Sequence, residues 1–311
     1  MCDGDSFDDM VDRLRCEVLS RRDFGSLSFG VCLASLLPIG CKSGDPAPGP
    51  VSAGSGAAGA PTAGAANAVA TTESEVTVTT PDGACDAYFV RPTAVVAPAV
   101  LVWPDIFGLR PAFRDMGKRL AESGYAVLVV NPFYRTKKAP TSSAHADFED
   151  PATRNALMGL MHSLTPETEV TDAKALTAWL DQQPSVDKSR EMGTIGNCMG
   201  GPLVLRTTAT NPERIGAAAT FHGGGLVTDK PDSPHLLIPK MKAQFLLAIA
   251  ANDDTKDPDA KGTIKAAFAK ASLPANVEVF ADTMHGWCPP DSHVYKRDAA
   301  EKARGELLTL S

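Results

Sequence analysis

Thr194-Ile195-Gly196-Asn197-Cys198-Met199-Gly200-Gly201 is the stretch on which the reading of this chain turns. Thr194–Gly196 ends a short strand and Met199–Thr210 reads as the next helix, so the segment is a strand-to-helix turn. Cys198 stands at its centre, with glycine two residues before and two after. That spacing suits a nucleophile elbow: the turn is so tight that a Cβ at either glycine would collide, and the central side chain projects above the sheet. The following helix N-terminus favours a thiolate there.

The flanking sequence alternates strands and helices. Glu75–Thr80 alternates β-branched with polar residues, Pro81-Asp82-Gly83 supplies a turn, and Ala84–Arg91 returns, which predicts a hairpin. Pro98–Trp103 and Tyr125–Asn131 are continuous apolar runs suited to strands covered on both faces. Between them residues 111–123 have a helical pattern closed by Gly124. Thr168–Gln183 reads as an amphipathic helix. Ile215–Phe221, Ala243–Ala250 and Val277–Phe280 read as strands, Lys261–Ala271 and Val294–Leu310 as helices. A hairpin followed by strand–helix units predicts an α/β-hydrolase fold, with a mostly parallel central sheet flanked by helices and an antiparallel N-terminal hairpin. Its active site is expected at the C-terminal ends of the strands.

In such a fold the acid and the base follow the nucleophile in that order. Ala251-Asn252-Asp253-Asp254 follows a late strand and supplies the acid, Asp253 by its distance from the strand end, with Asp254 the competitor. His285 lies beyond the last strand and before the last helix, where the base belongs. His285 would take the thiol proton or hold the thiolate as an ion pair, and Asp253 would fix the imidazole tautomer. Cys198 would attack an ester or lactone carbonyl to give an acyl-enzyme. The backbone N–H groups of Met199 and Ile106 are the candidate oxyanion donors.

The whole chain has 311 residues, 43% hydrophobic and 22% charged, with a net charge of -7. This is the composition of a globular protein, with no basic stripe for nucleic acid. No run of roughly 18 apolar residues occurs, which excludes a multi-spanning membrane protein. The seven cysteines form no CxxC pair and no zinc pattern, so neither metal nor cofactor is expected.

The front of the chain reads as an address. In residues 1–22 six acids face four arginines, but the segment ends Ser20-Arg21-Arg22-Asp23-Phe24, which looks like a twin-arginine export signal. A moderately apolar run then reaches Leu37-Pro38-Ile39-Gly40-Cys41, similar to a lipoprotein cleavage box with Cys41 as the lipidated residue. Residues 1–41 are therefore expected to be a signal segment. Residues 42–72, rich in Gly, Ala and Pro, are expected to be a flexible tether, and 73–311 the catalytic domain. The expected location is extracytoplasmic, with contact to a membrane only through an anchor at Cys41.

Gly196-Asn197-Cys198-Met199-Gly200-Gly201, Asp105-Ile106-Phe107-Gly108 and His285-Gly286-Trp287 together resemble the dienelactone hydrolase family over essentially all of residues 73–311. The resemblance implies carboxymethylenebutenolidase-type hydrolysis by a cysteine triad. It implies a thiol-gating acid at Asp105, where the family carries the longer Glu. It also implies a substrate-carboxylate clamp of two arginines. Arg135 matches one of them, and no Arg follows His285 to supply the other, so small esters or lactones are expected without dienelactone itself. Trp287 and His222 are expected to line the pocket. Cys85 and Cys288 are read as free thiols, with a disulfide as the alternative. The rival reading of the chain is an exported, membrane-tethered binding protein of the same fold with little or no turnover.

Overall fold

The computed structural model describes residues 69–310. The export, lipidation and tether readings fall on residues outside the described ones, apart from the last few residues of the tether. Those last residues belong to the domain, because the first strand already begins at Thr71.

Eight strands form one sheet: β1 (Thr71–Thr80), β2 (Gly83–Pro92), β3 (Ala99–Trp103), β4 (Ala126–Val130), β5 (Met192–Asn197), β6 (Ile215–Phe221), β7 (Gln244–Ala250) and β8 (Ala275–Phe280). Their spatial order is β1-β2-β4-β3-β5-β6-β7-β8. β1 pairs antiparallel with β2, and β2 antiparallel with β4; every later pairing is parallel. Fold class and hairpin thus match the expectation.

β3 (AVLVW) and β4 (AVLVV) are buried at every residue, as parallel strands with both faces covered must be. Their side chains alternate between two cores. Leu101, Trp103 and Leu128 enter one, and Val100, Val102 and Val127 the other. The first core is closed by helices α3 (Pro166–Asp181), α4 (Gly200–Thr210) and α6 (Pro258–Ala271), the second by α1 (Pro111–Ala121) and α7 (Arg297–Thr309). Gly124, at φ +99°, donates its N–H to Ala121 and ends α1.

Two helices depart from the sequence reading. α2 (Pro151–Met161) lies where no helix is expected; Asp150 caps it by accepting from the Thr153 N–H at 2.8 Å. α5 (Ala251–Lys256) occupies what reads as a loop after β7. Cys85 and Cys288 are both free and buried, and burial pushes both thiols up.

Arg135, expected to clamp a substrate carboxylate, is engaged by carboxylates of the chain itself. Its guanidinium donates to both oxygens of the buried Asp172 at 2.7 Å and to Asp82 in the hairpin turn at 2.6 Å. It also packs over the Tyr134 ring, whose hydroxyl donates to Asp172 at 2.7 Å. The sequence identifies an arginine after β4 and gives no direction for its side chain. The buried carboxylate of Asp172, which needs a cation, supplies that direction.

Candidate active site

The elbow at the end of β5 is built by exclusion. A Cβ on Gly196 would lie 2.3 Å from the Gly200 carbonyl oxygen, and one on Gly200 would lie 2.5 Å from the Trp103 oxygen. The turn can be this tight only because both residues lack side chains. Cys198 takes the left-handed conformation, φ +52°, which non-glycine residues enter only when their surroundings compel it. Three backbone bonds hold it: its N–H donates to Phe221 at 3.1 Å, and its carbonyl accepts from Gly201 at 3.0 Å and from Gly224 at 3.2 Å. Gly196→Ala is therefore expected to destabilise the domain by about 3 kcal/mol through overpacking against backbone, read from urea unfolding.

His285 arrives from the loop after β8. Asp282 at φ +54° and Gly286 at φ +95° shape that loop, and the Thr283 hydroxyl ties it to Phe280 at 2.7 Å. The His285 backbone N–H donates to Asn252 Oδ1 at 2.8 Å, which docks the loop onto α5. The His285 ring meets Asp253 across 2.7 Å, Nδ1 to Oδ2. Burial opposes charge on His285, but Cys198 and Asp253 outweigh it and raise the imidazole well above its ordinary range. Asp254 instead pairs with Lys261 at 2.8 Å, which takes it away from His285. Asp253 sits in the first turn of α5, where the helix fixes its side-chain direction; the sequence places the residue and not the helix.

The raised imidazole has a sign that can be tested. A histidine whose folded-state pKa exceeds its unfolded value contributes stability that is fully present below the unfolded pKa, near 6.5. That stability is lost as pH rises through the folded value. The stability difference between wild type and His285→Gln is expected to be larger at mildly acidic pH than at alkaline pH, by chemical denaturation. The opposite ordering would contradict the charge balance described.

His222 is buried, at φ +41°, with its ring edge-on to His285 at 5.1 Å between centroids. Burial first, and then the charge of His285, hold it well below its ordinary range, so it is neutral. Neither of its ring nitrogens has a hydrogen-bond partner among the described residues. Trp287 is fully buried and stacks on Phe280 at 4.8 Å. The His222 ring lies between those of His285 and Trp287, with its centroid 6.2 Å from that of Trp287. Ile106 and Met199 are buried on the two sides of the elbow, Ile106 in the loop after β3 and Met199 directly after Cys198.

Asp105 also departs from expectation. Arg110 takes both of its carboxylate oxygens, at 2.6 and 2.9 Å, and the Phe107 N–H donates to it at 3.0 Å. A carboxylate so committed does not sit ready for the thiol proton, which corrects the gating role. Arg110 reaches on to Asp291, 181 residues away in the chain, at 2.7 and 3.0 Å. The sequence reading names neither Arg110 nor Asp291, and no short-range pattern links them.

An eight-stranded, mostly parallel sheet with a cysteine elbow at a strand end, followed by acid and then base, defines the α/β-hydrolase class. The profile of the dienelactone hydrolase family matches residues 85–310, and the chain belongs to that family. A carboxymethylenebutenolidase of Rhodococcus opacus is 25% identical over 189 residues, 60% of this chain and 69% of that protein. Among solved structures, a dienelactone hydrolase-like promiscuous phosphotriesterase from metagenomic libraries superposes with a TM-score of 0.64 at 22% identity, over 78% of this chain and 97% of that one. The dienelactone hydrolase of Anabaena variabilis does so with a TM-score of 0.54 at 16% identity, over 75% and 96%.

Proposed function

We propose that this hydrolase cleaves small carboxylic esters or lactones through Cys198, with His285 as base and Asp253 as the acid that orients it. The observation that carries the proposal is the 2.7 Å contact of His285 Nδ1 with Asp253 in a chain whose strained elbow presents Cys198. Cys198 and the imidazole of His285 supply a nucleophile and a base within one site. The thiolate adds to the carbonyl carbon, forming the S–C bond, while Met199 and Ile106 N–H groups receive the oxyanion. The C–O bond to the alcohol then breaks, and the alcohol leaves with the proton held by His285. Water, deprotonated by His285, attacks the thioester, releases the acid and restores the thiol pair. The neutral His222 beneath His285 adds no second positive charge to compete with this cycle.

The carboxymethylenebutenolidase named among the relatives supports a lactone as one substrate class. The engagement of Arg135 with Asp82 and Asp172 removes the carboxylate clamp that the resemblance implied, so the proposal stays with small esters and lactones in general. The test is hydrolysis of a small activated aryl ester and of an unsaturated five-membered lactone by the full chain, with the thioester sought on the Cys198 peptide by mass spectrometry. Turnover of either with a trapped thioester supports the reading. A folded protein inert toward both, or turnover without any thioester, counts against it.

A further inference from the structure

The ion bridge Asp105–Arg110–Asp291 joins the loop after β3 to the loop after β8. Asp105 and Arg110 belong to the loop between β3 and α1, which also carries Ile106; Asp291 belongs to the loop that follows His285. Every nitrogen of the Arg110 guanidinium is committed. Nε donates to Asp291, Nη1 to Asp105, and Nη2 to both carboxylates. The rings of Phe107 and Phe113 flank it at 5.3 and 4.9 Å from their centroids. The bridge is mostly sheltered: the Arg110 and Asp105 side chains are 13% and 9% exposed, and Asp291 alone reaches solvent at 45%.

Asp105 stands close to the elbow. Trp103 is in register with Gly196, so the loop after β3 departs beside the turn that carries Cys198. The Pro104 carbonyl lies 3.0 Å from where a Gly200 Cβ would be. An unpaired carboxylate in this sheltered place would oppose a thiolate, since charges interact strongly where water is excluded.

We propose that Arg110 is a positioning residue that cancels the charge of Asp105 beside the thiol and ties the Ile106 loop to the His285 loop through Asp291. The proposal rests on Cys198 being the nucleophile, but its test does not require turnover. Alkylation by iodoacetamide at neutral pH, followed on the Cys198 peptide by mass spectrometry, reports the thiolate directly. Arg110→Gln is expected to slow it about tenfold, the effect of one pKa unit of unfavourable charge. Arg110→Gln combined with Asp105→Asn is expected to restore the wild-type rate, because the uncancelled charge is gone while the bridge stays broken. Arg110→Lys keeps the charge without the fork. It is expected to alkylate like wild type while kcat for a turned-over ester falls and KM holds, as the Ile106 loop loosens.

An Arg110→Gln variant that alkylates at the wild-type rate overturns the proposal. So does a double variant as slow as the single one, which would mark loss of structure instead of charge. If Arg110→Gln does not fold, Arg110→Lys decides: tenfold slower alkylation in that folded variant overturns the proposal too. A protein that alkylates as expected yet hydrolyses no ester would leave Arg110 in this role and refute only the substrate reading.

Discussion

Replacing Cys198 by alanine is expected to reduce ester hydrolysis by about 10⁵ in kcat while leaving the fold intact, since removing a nucleophile from a cooperating triad costs nearly all of its rate. The side chain at this position is half-buried and packs into neither hydrophobic core. The left-handed backbone is held by the bonds to Phe221, Gly201 and Gly224, none of which involves the sulfur. Far-ultraviolet circular dichroism and the urea midpoint should therefore change little. Residual activity near the wild-type level would move the nucleophile elsewhere and sink the triad. Loss of both activity and fold would mean that the thiol is structural.

Arg135→Ala carries the second large effect, and it falls on stability. Removing the guanidinium strands Asp172, whose side chain is 4% exposed, and leaves it only Tyr134. Breaking a buried pair by deleting one partner costs about 3 kcal/mol or more. The same deletion releases the β1–β2 turn, because Asp82 loses its only charged partner among the described residues. The urea midpoint should fall with the slope unchanged, and KM for an ester should stay where it is. A raised KM with unaltered stability would return Arg135 to the substrate clamp.

The sequence discloses some parts of this protein and hides others for physical reasons. β3 and β4 are legible because a strand buried on both faces has to be an unbroken apolar run. The elbow is legible because steric exclusion admits only glycine at 196 and 200, and that requirement is local. His285 and Asp253 follow from chain order and from their positions after strand ends. α5 escapes notice because six residues are too few to show a helical period. α2 announces itself only through Asp150 and Pro151, a cap and an N1 proline amid polar sequence. The directions of Arg135, Trp287 and Asp105 are hidden for another reason. Each is set by a partner, and Asp172, Phe280 and Arg110 become partners only when the sheet has closed.

The backbone at position 198 is bent by its neighbours and not by its own side chain. For inheritance this makes the reactive atom a separable trait. Glycines at 196 and 200 and the flanking strands preserve the turn in every descendant that keeps them, whichever small side chain stands at its apex. A lineage carrying this elbow can exchange sulfur for oxygen, or discard the nucleophile, in one step without first rebuilding its scaffold.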